Sequence, residues 1–417
     1  MIIPLIAEAI FNGISFDIDY WNILKIVALI AVIVLVKLYC RGATNLAERQ
    51  LHSKVVIVTG GTTGIGAETT LGLAQRGAQI VLLTRQPASD PFIVDYIEDL
   101  RTRTNNELIY AEQVDLASTH SIRKFATKWI DNAPPRRLDM IVLCAASQTP
   151  PGKPMALTNE GIEETWMVNY LANFHLLSIL SPAIRAQPPD RDVRILFTTC
   201  SSYISSPVLE DGEEALDAKK WSPGKAYARS KLALMVFGQA FQKHLDAYKR
   251  PDGLPMNARV VFVDPGYSRT SGMRRWLSRG TLWGLALYVL LWHQAWLFLK
   301  SAEQGAQSLL YAAMDVTLGR GNGGKLIKEC IEVDLARKDV RDEETAKKLW
   351  QASEKLIERV EREEAVKRAL KKKEMAEQEV AQEDVGKGSG TDAGNVPEKT
   401  ASGNKKSKSK KSKKATA

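Results

Sequence analysis

The sequence predicts an α/β fold, a doubly wound parallel sheet with an N-terminal transmembrane helix and a C-terminal helical and disordered tail. Three observations carry this. Short apolar runs alternate with helix-patterned stretches, the first run ends in a glycine-rich turn, and 417 residues at 45% hydrophobic content suffice for one large core with appendages. Residues 23–40 are nearly all apolar, with Lys25 and Lys37 near the ends. A stretch of about 18 such residues crosses a bilayer core if the lysines snorkel. Asp17 and Asp19 precede it, while Lys37, Arg41 and Arg49 follow. The positive-inside rule then makes residues 1–22 lumenal and leaves the remainder cytosolic.

Residues 51–330 read as one catalytic domain. Strands are expected at 54–58, 79–83, 108–114, 140–143, 193–198 and 258–263, with a last short one at 324–327. Helices fill the intervals, and one opens with Ser301 and Gln304 spaced as a capping box before the apolar positions Ala306, Leu309, Leu310 and Ala313. Residues 281–299 hold Trp283, Trp292 and Trp296 and follow Arg274, Arg275 and Arg279. That pairing of tryptophan and arginine suits a headgroup interface, so the segment is expected to dip into the membrane; a buried core helix or a second span would read similarly. Residues 331–385 turn to Glu, Lys, Arg and Ala, with Leu349, Ala352, Leu356 and Val360 at helical spacing, and predict a charged, mostly exposed helix. Residues 386–417 lack aromatics and end in seven lysines between Lys405 and Lys414, which predicts a disordered tail and supplies most of the net charge of +9.

The glycine turn runs through Thr59, Gly60, Gly61, Thr62, Thr63, Gly64, Ile65 and Gly66, between the first strand and a helix. Strand, glycine turn and helix form the Rossmann-type dinucleotide cradle. The glycines admit the pyrophosphate to the backbone, and the helix start offers free N–H groups. The second strand ends at Thr84 and Arg85 rather than at an acid. Arginine there suits a ribose 2′-phosphate, so NADP(H) is favoured over NAD(H). Further on, Tyr227 and Lys231 stand one helical turn apart, a spacing that lets an ammonium assist a phenol in proton transfer.

In order and context these motifs resemble the short-chain dehydrogenase/reductase family over roughly residues 53–327. The resemblance rests on the glycine turn, Asp115 and Leu116 after the third strand, Asn169, Tyr227 with Lys231, and Asp264, Pro265 and Gly266 followed by Thr270. It implies that Asp115 and Leu116 lie at the adenine, and that Pro265, Gly266 and Thr270 border the nicotinamide. The phrase from Tyr227 to Leu234, Asn159 to Gly161 leading to Val168, Asn169 and Tyr170, and Glu303 to Ala306 before Tyr311 are similar to the membrane-anchored, retinol-dehydrogenase-like branch. That branch implies a lipophilic alcohol or carbonyl substrate of the retinoid, sterol, polyprenol or fatty-aldehyde class. It also implies an endoplasmic reticulum membrane, with lipid droplets an alternative, and it is compatible with a homodimer.

The resemblance makes Tyr227, Lys231, Ser201 and Asn169 the catalytic set. A tyrosine titrates near pH ~10. An ammonium about 4 Å away at an effective dielectric of about 20 would stabilise the phenolate by at most ~4 kcal/mol, up to about three pKa units before desolvation opposes it. In the reductive direction Tyr227 would protonate the developing alkoxide, Ser201 would donate a hydrogen bond to it, and Asn169 would hold a water linking Lys231 to solvent. The chain departs from the family twice. Leu143, Cys144, Ala145 and Ala146 replace the usual Asn-Asn-Ala-Gly. The catalytic serine falls on Cys200, Ser201 or Ser202 according to the count, with Ser201 preferred. These departures motivate a second reading, a catalytically weak dinucleotide-binding scaffold or redox sensor at the membrane. The four cysteines and five histidines show no ligand or disulfide spacing, so no metal is expected, and nothing points to nucleic acid.

Overall fold

The computed structural model describes residues 20–209 and 221–388. The expected lumenal segment up to residue 19 and the lysine-rich tail from residue 389 lie outside the described residues. The chain divides into two units, Met1–Arg362 and Glu363–Ala417.

The first unit begins with helix α1 (Tyr20–Arg41), 22 residues of which none is buried. Strands β1 (Val55–Thr59) and β2 (Gln79–Thr84) flank helix α2 (Gly64–Ala74). Helix α3 (Pro91–Thr104) starts on an Asp90 side chain that accepts from Phe92 N, and leads to β3 (Ile109–Gln113). Helix α4 (Thr119–Ile130) leads to β4 (Met140–Leu143). A short helix α5 (Glu164–Trp166) passes through a π-turn over Met167–Leu171 into α6 (Ala172–Arg185), which runs to β5 (Val193–Thr198). Helix α7 (Pro223–Asp246) is capped by Ser222, with proline in its first turn, and precedes β6 (Ala258–Asp264). Then come α8 (Ser271–Leu277), α9 (Leu282–Leu290), α10 (Trp292–Phe298) and α11 (Ala302–Met314). Strands β7 (Lys325–Lys328) and β8 (Ile331–Val333) precede helix α12 (Glu343–Gly388).

The sheet order is β3-β2-β1-β4-β5-β6-β7-β8, parallel throughout except for the antiparallel β8. Strands covered by helices on both faces must be apolar on both. β1 accordingly reads Val-Val-Ile-Val-Thr with every residue buried. The order reverses between β1 and β4, where the loops at the carboxyl ends diverge and leave a crevice. The expected capping box is present, with the Ser301 side chain accepting from Gln304 N and the Gln304 side chain accepting from Ser301 N.

Two expectations are corrected. The charged helix starts at Glu343 rather than at residue 331, because residues 331–333 form the antiparallel edge strand β8. It is also not mostly exposed in its first half: Leu349, Leu356, Ile357 and Val360 join the main core, and Ser353 bonds the Tyr170 hydroxyl at 2.8 Å. The leucine spacing marked a buried stripe that the surrounding charge disguised. In the second unit the helix continues to Gly388, with Lys367 pairing with Glu364. The 281–299 segment is neither a core helix nor one long span. It is the two short helices α9 and α10, with no buried residue in either.

Candidate active site

The crevice at the carboxyl ends of β1, β4, β5 and β6 gathers the residues that carry chemistry. At its floor Gly60 sits at φ +66°, and a Cβ added there would stand 2.7 Å from the Ala145 Cα. A Cβ on Gly66 would stand 2.1 Å from the Gly60 carbonyl oxygen. The turn is therefore folded against itself with no room for side chains. Thr63 precedes α2 without its side chain capping the helix, so the first N–H groups of α2 face the crevice for an anion to accept from. Thr62 and Ile65 belong to the same turn, and Thr270 approaches it: its Cγ2 would lie 3.0 Å from a Cβ on Gly64. This cradle fits the diphosphate of a dinucleotide.

Thr59 ties the loops after β1 and β4 together. Its hydroxyl oxygen accepts from the N–H groups of Cys144 and Ala145, each at 3.2 Å. Arg85, its side chain 77% exposed, lies 3.8 Å from the Asp115 carboxylate, which also accepts from Ala117 N. Both stand just past the carboxyl ends of β2 and β3, beside the half-buried Leu116.

Tyr227, Lys231 and Asn169 come together across the crevice from the glycine turn. Tyr227 and Lys231 lie on α7, with the Lys231 ammonium 5.6 Å from the centre of the Tyr227 ring. Lys231 is buried and donates to the Thr198 carbonyl at 3.0 Å. Burial, before any other influence, pulls its ammonium below the ordinary lysine range, against the opposing effect of Cys200, Cys144 and Asp264. Tyr227 moves the other way. Burial pushes its hydroxyl well above the usual tyrosine range, and Cys200, Asp264 and Cys144 add to the rise. The expected lowering of the phenol by Lys231 is thus not produced by the chain's own groups, because desolvation exceeds the reach of an ammonium turned toward Thr198. Burial thus favours the neutral, protonated phenol of Tyr227, the form a proton donor for carbonyl reduction needs, while it disfavours the charged form of Lys231.

Asn169 sits in the π-turn. Its amide oxygen accepts from Ser147 N at 2.7 Å, and its amide nitrogen donates to the Ser147 carbonyl and to the Ser230 hydroxyl, each at 3.0 Å. Its side chain thus braces the β4 loop against α7, and its own carbonyl accepts from Asn173. A π-turn at this point is a common mark of a functional helix.

The serine position departs from expectation. Ser201 turns away from Tyr227 and donates to the Asp264 carboxylate at 2.5 Å, while Lys328 donates to Ser201 at 3.0 Å. Cys200 takes the facing place, its sulfur 3.8 Å from the Tyr227 hydroxyl and 2.7 Å from the Ser202 hydroxyl. The physical reason is local. Residues 201–205 wind into a 3-10 turn beginning after Cys200, which directs Ser201 toward the buried Asp264 at the end of β6. Pro265 is buried behind it, and Gly266 N donates to the other Asp264 oxygen. Sequence reasoning missed Thr198 and Lys328. Each closes a parallel strand, and in such a sheet that position is itself a signal.

Beyond the crevice, α9 and α10 present Leu282, Trp283, Leu290 and Trp292 to the exterior, Trp283 at 88% exposure. Lys37 of α1 donates to the Trp296 carbonyl and lies 4.9 Å over its ring. Among the described residues no group of side chains is arranged to hold a metal.

Comparison with known proteins agrees with this geometry. A sequence model described as "short chain dehydrogenase" matches residues 54–202. An uncharacterized oxidoreductase, pbr1, from Schizosaccharomyces pombe is 42% identical over 378 residues, covering 89% of this chain and all of that one. Retinol dehydrogenase 13 from Mus musculus is 30% identical over 78% of this chain and 90% of its own length. Among solved structures, an uncharacterized protein from Mycobacterium paratuberculosis aligns over 76% of this chain and 98% of its own, with a TM-score of 0.54 and 23% identity, and so shares the fold.

Proposed function

Because the chain belongs to the short-chain dehydrogenase/reductase family and is an NAD(P)-dependent oxidoreductase of the CH–OH/C=O pair, we propose that it is a membrane-bound, NADP(H)-dependent enzyme for a lipophilic alcohol and its aldehyde or ketone. The observation that carries this is Tyr227 beside buried Lys231 in a crevice bordered by Thr270, which also shares a cavity with Tyr288 and Trp292 of the two exposed apolar helices. Gly60, Thr62, Gly64, Ile65 and Gly66 hold the diphosphate, Asp115 and Leu116 the adenine, and Pro265, Gly266 and Thr270 the nicotinamide end. Arg85, exposed just past β2, is the residue assigned to a ribose 2′-phosphate in this reading. When bound, the reduced nicotinamide supplies a hydride to the carbonyl carbon.

The chain's own residues handle the proton. Tyr227, held protonated by burial, gives its proton to the developing alkoxide. Cys200, facing Tyr227, donates a hydrogen bond to the same oxygen in the role a serine takes in relatives; a thiol is a weak donor. Ser201 stands one step back, orienting Asp264, while Asn169 and Thr198 fix the positions of the β4 loop and Lys231.

The membrane reading rests on α1, apolar over 22 residues with none buried, and on the exposed tryptophans of α9 and α10. Within this reading we assign the protein to an endoplasmic reticulum membrane with a cytosolic catalytic domain. Replacing Trp292 and Trp296 with glutamate should reduce turnover of a bilayer-embedded substrate more than turnover of a short soluble aldehyde; equal losses on both would remove the membrane-facing role. To test the function itself, membranes carrying wild type or Tyr227→Phe are incubated with NADPH or NADH and a panel of retinal, sterol ketones, fatty aldehydes and polyprenal. Tyr227-dependent oxidation of NADPH supports the enzyme. Dinucleotide binding without turnover of any panel member supports the scaffold reading instead.

A further inference from the structure

Between Asp264 and Glu303 the chain has no acidic residue, yet it carries Arg269, Arg274, Arg275, Arg279 and Lys300 together with four tryptophans. Lys300 is paired with Glu329. Among the described residues the four arginines have no carboxylate partner. Arg269 and Arg274 line a cavity of about 370 Å³ together with Thr270, Ser271, Tyr288 and Trp292. The Arg269 guanidinium lies 5.0 Å over the Trp292 ring, and its Nε is buried without an acceptor.

A buried guanidinium N–H without an acceptor is unfavourable until one arrives. A guanidinium fork matches phosphate oxygens better than any neutral acceptor. The walls state the rest of the ligand's chemistry. Tyr288 and Trp292 belong to the two helices that bury nothing, so the cationic cavity adjoins exposed apolar surface. Lys37 of α1, also stacked on a tryptophan, stands at the same junction. Cationic head and apolar flank together describe an anionic amphiphile.

We propose that this cavity holds the phosphate-bearing headgroup of a membrane lipid, paired with Arg269 and Arg274, with its acyl chains lying along α9 and α10. The proposal rests on the membrane-facing reading of these helices.

The test uses the full-length protein in nanodiscs containing equal phosphatidic acid and phosphatidylcholine, with the retained lipids counted by native mass spectrometry. Each surface arginine favours an anionic lipid about fivefold, so wild type should retain phosphatidic acid over phosphatidylcholine by at least about fivefold. The Arg269→Gln, Arg274→Gln double variant should retain the two equally, with its NADPH affinity unchanged. Equal retention by wild type overturns the proposal. So does a double variant that loses NADPH affinity while wild type shows no lipid preference, which would give the cavity to the cofactor's diphosphate. Displacement of phosphatidic acid by soluble glycerol 3-phosphate would assign the site to free phosphates and overturn the lipid assignment. Tryptophan quenching by dibrominated phosphatidylcholine separates this proposal from its premise. Quenching with equal lipid retention defeats the headgroup site alone, whereas absence of quenching defeats the membrane-facing reading with it.

Discussion

At the end of β1 the site is made of backbone: Gly60 at positive φ, Gly66 against the Gly60 carbonyl, and open N–H groups at the start of α2. At the ends of β5 and β6 it is made of side-chain directions: Cys200 toward Tyr227, Ser201 toward Asp264, and Lys328 reaching across from β7. The first region leaves no room for side chains, so its pattern is fixed by backbone geometry. The second depends on where its side chains point, and there a thiol rather than a hydroxyl faces the phenol. In the proposed function, dinucleotide holding is encoded by what is absent, and substrate handling by where side chains point.

The largest effect should come from the phenol. Tyr227→Phe removes the proton donor, and general acid catalysis contributes ~10²–10⁴-fold. Loss of kcat on that scale with unchanged NADPH affinity by fluorescence titration would confine the change to the side-chain region. Gly66→Val is the counterpart in the backbone region. Its branched side chain meets the Gly60 carbonyl, so NADPH binding should weaken beyond tenfold and thermal stability fall by about 1–3 kcal/mol; normal NADPH affinity would mean that the turn does not hold the cofactor. Cys200→Ala should lower kcat roughly tenfold, below the ~100-fold typical of a stronger donor, whereas Cys200→Ser should keep or raise it. A larger loss from Ser201→Ala than from Cys200→Ala would reverse the two assignments. Smallest is Asp264→Asn. The Asp264 carboxylate helps to raise Tyr227, and removing that charge favours the phenolate, so the alkaline limb of the kcat profile should move to lower pH. A limb displaced upward, or unmoved, would separate Asp264 from the phenol.

The same division explains what the sequence reveals. All seven parallel strands lie within a residue or so of their expected places: β1, β2, β4, β5 and β6 are largely apolar, buried runs, whereas β3 and β7 at the outer positions are only partly buried. The glycine turn, Tyr227 with Lys231, and the Ser301 cap are legible because each is a fixed local spacing. Which of Cys200, Ser201 and Ser202 faces the phenol is not, since it depends on the 3-10 winding of residues 201–205 and on a buried carboxylate more than sixty positions later. The partners of Asn169 escape prediction for the same reason: Ser147 and Ser230 are ordinary in sequence and meet only after folding. Burial of the first half of α12 is hidden by its charges, as the apolar stripe occupies one face of a helix that is otherwise glutamate and lysine.

Glu329, at positive φ in the turn between β7 and β8, accepts from Ala43 N just past α1 and pairs with Lys300 just past α10. One carboxylate thus fastens both apolar elements to the last strand of the parallel sheet. An enzyme on a slack tether samples many heights and tilts and meets its lipid by three-dimensional search. In the membrane-bound reading proposed above, this carboxylate would hold the enzyme at a fixed stand-off, so that encounter would reduce to lateral diffusion of lipid in one leaflet and product would leave into the leaflet from which the substrate came.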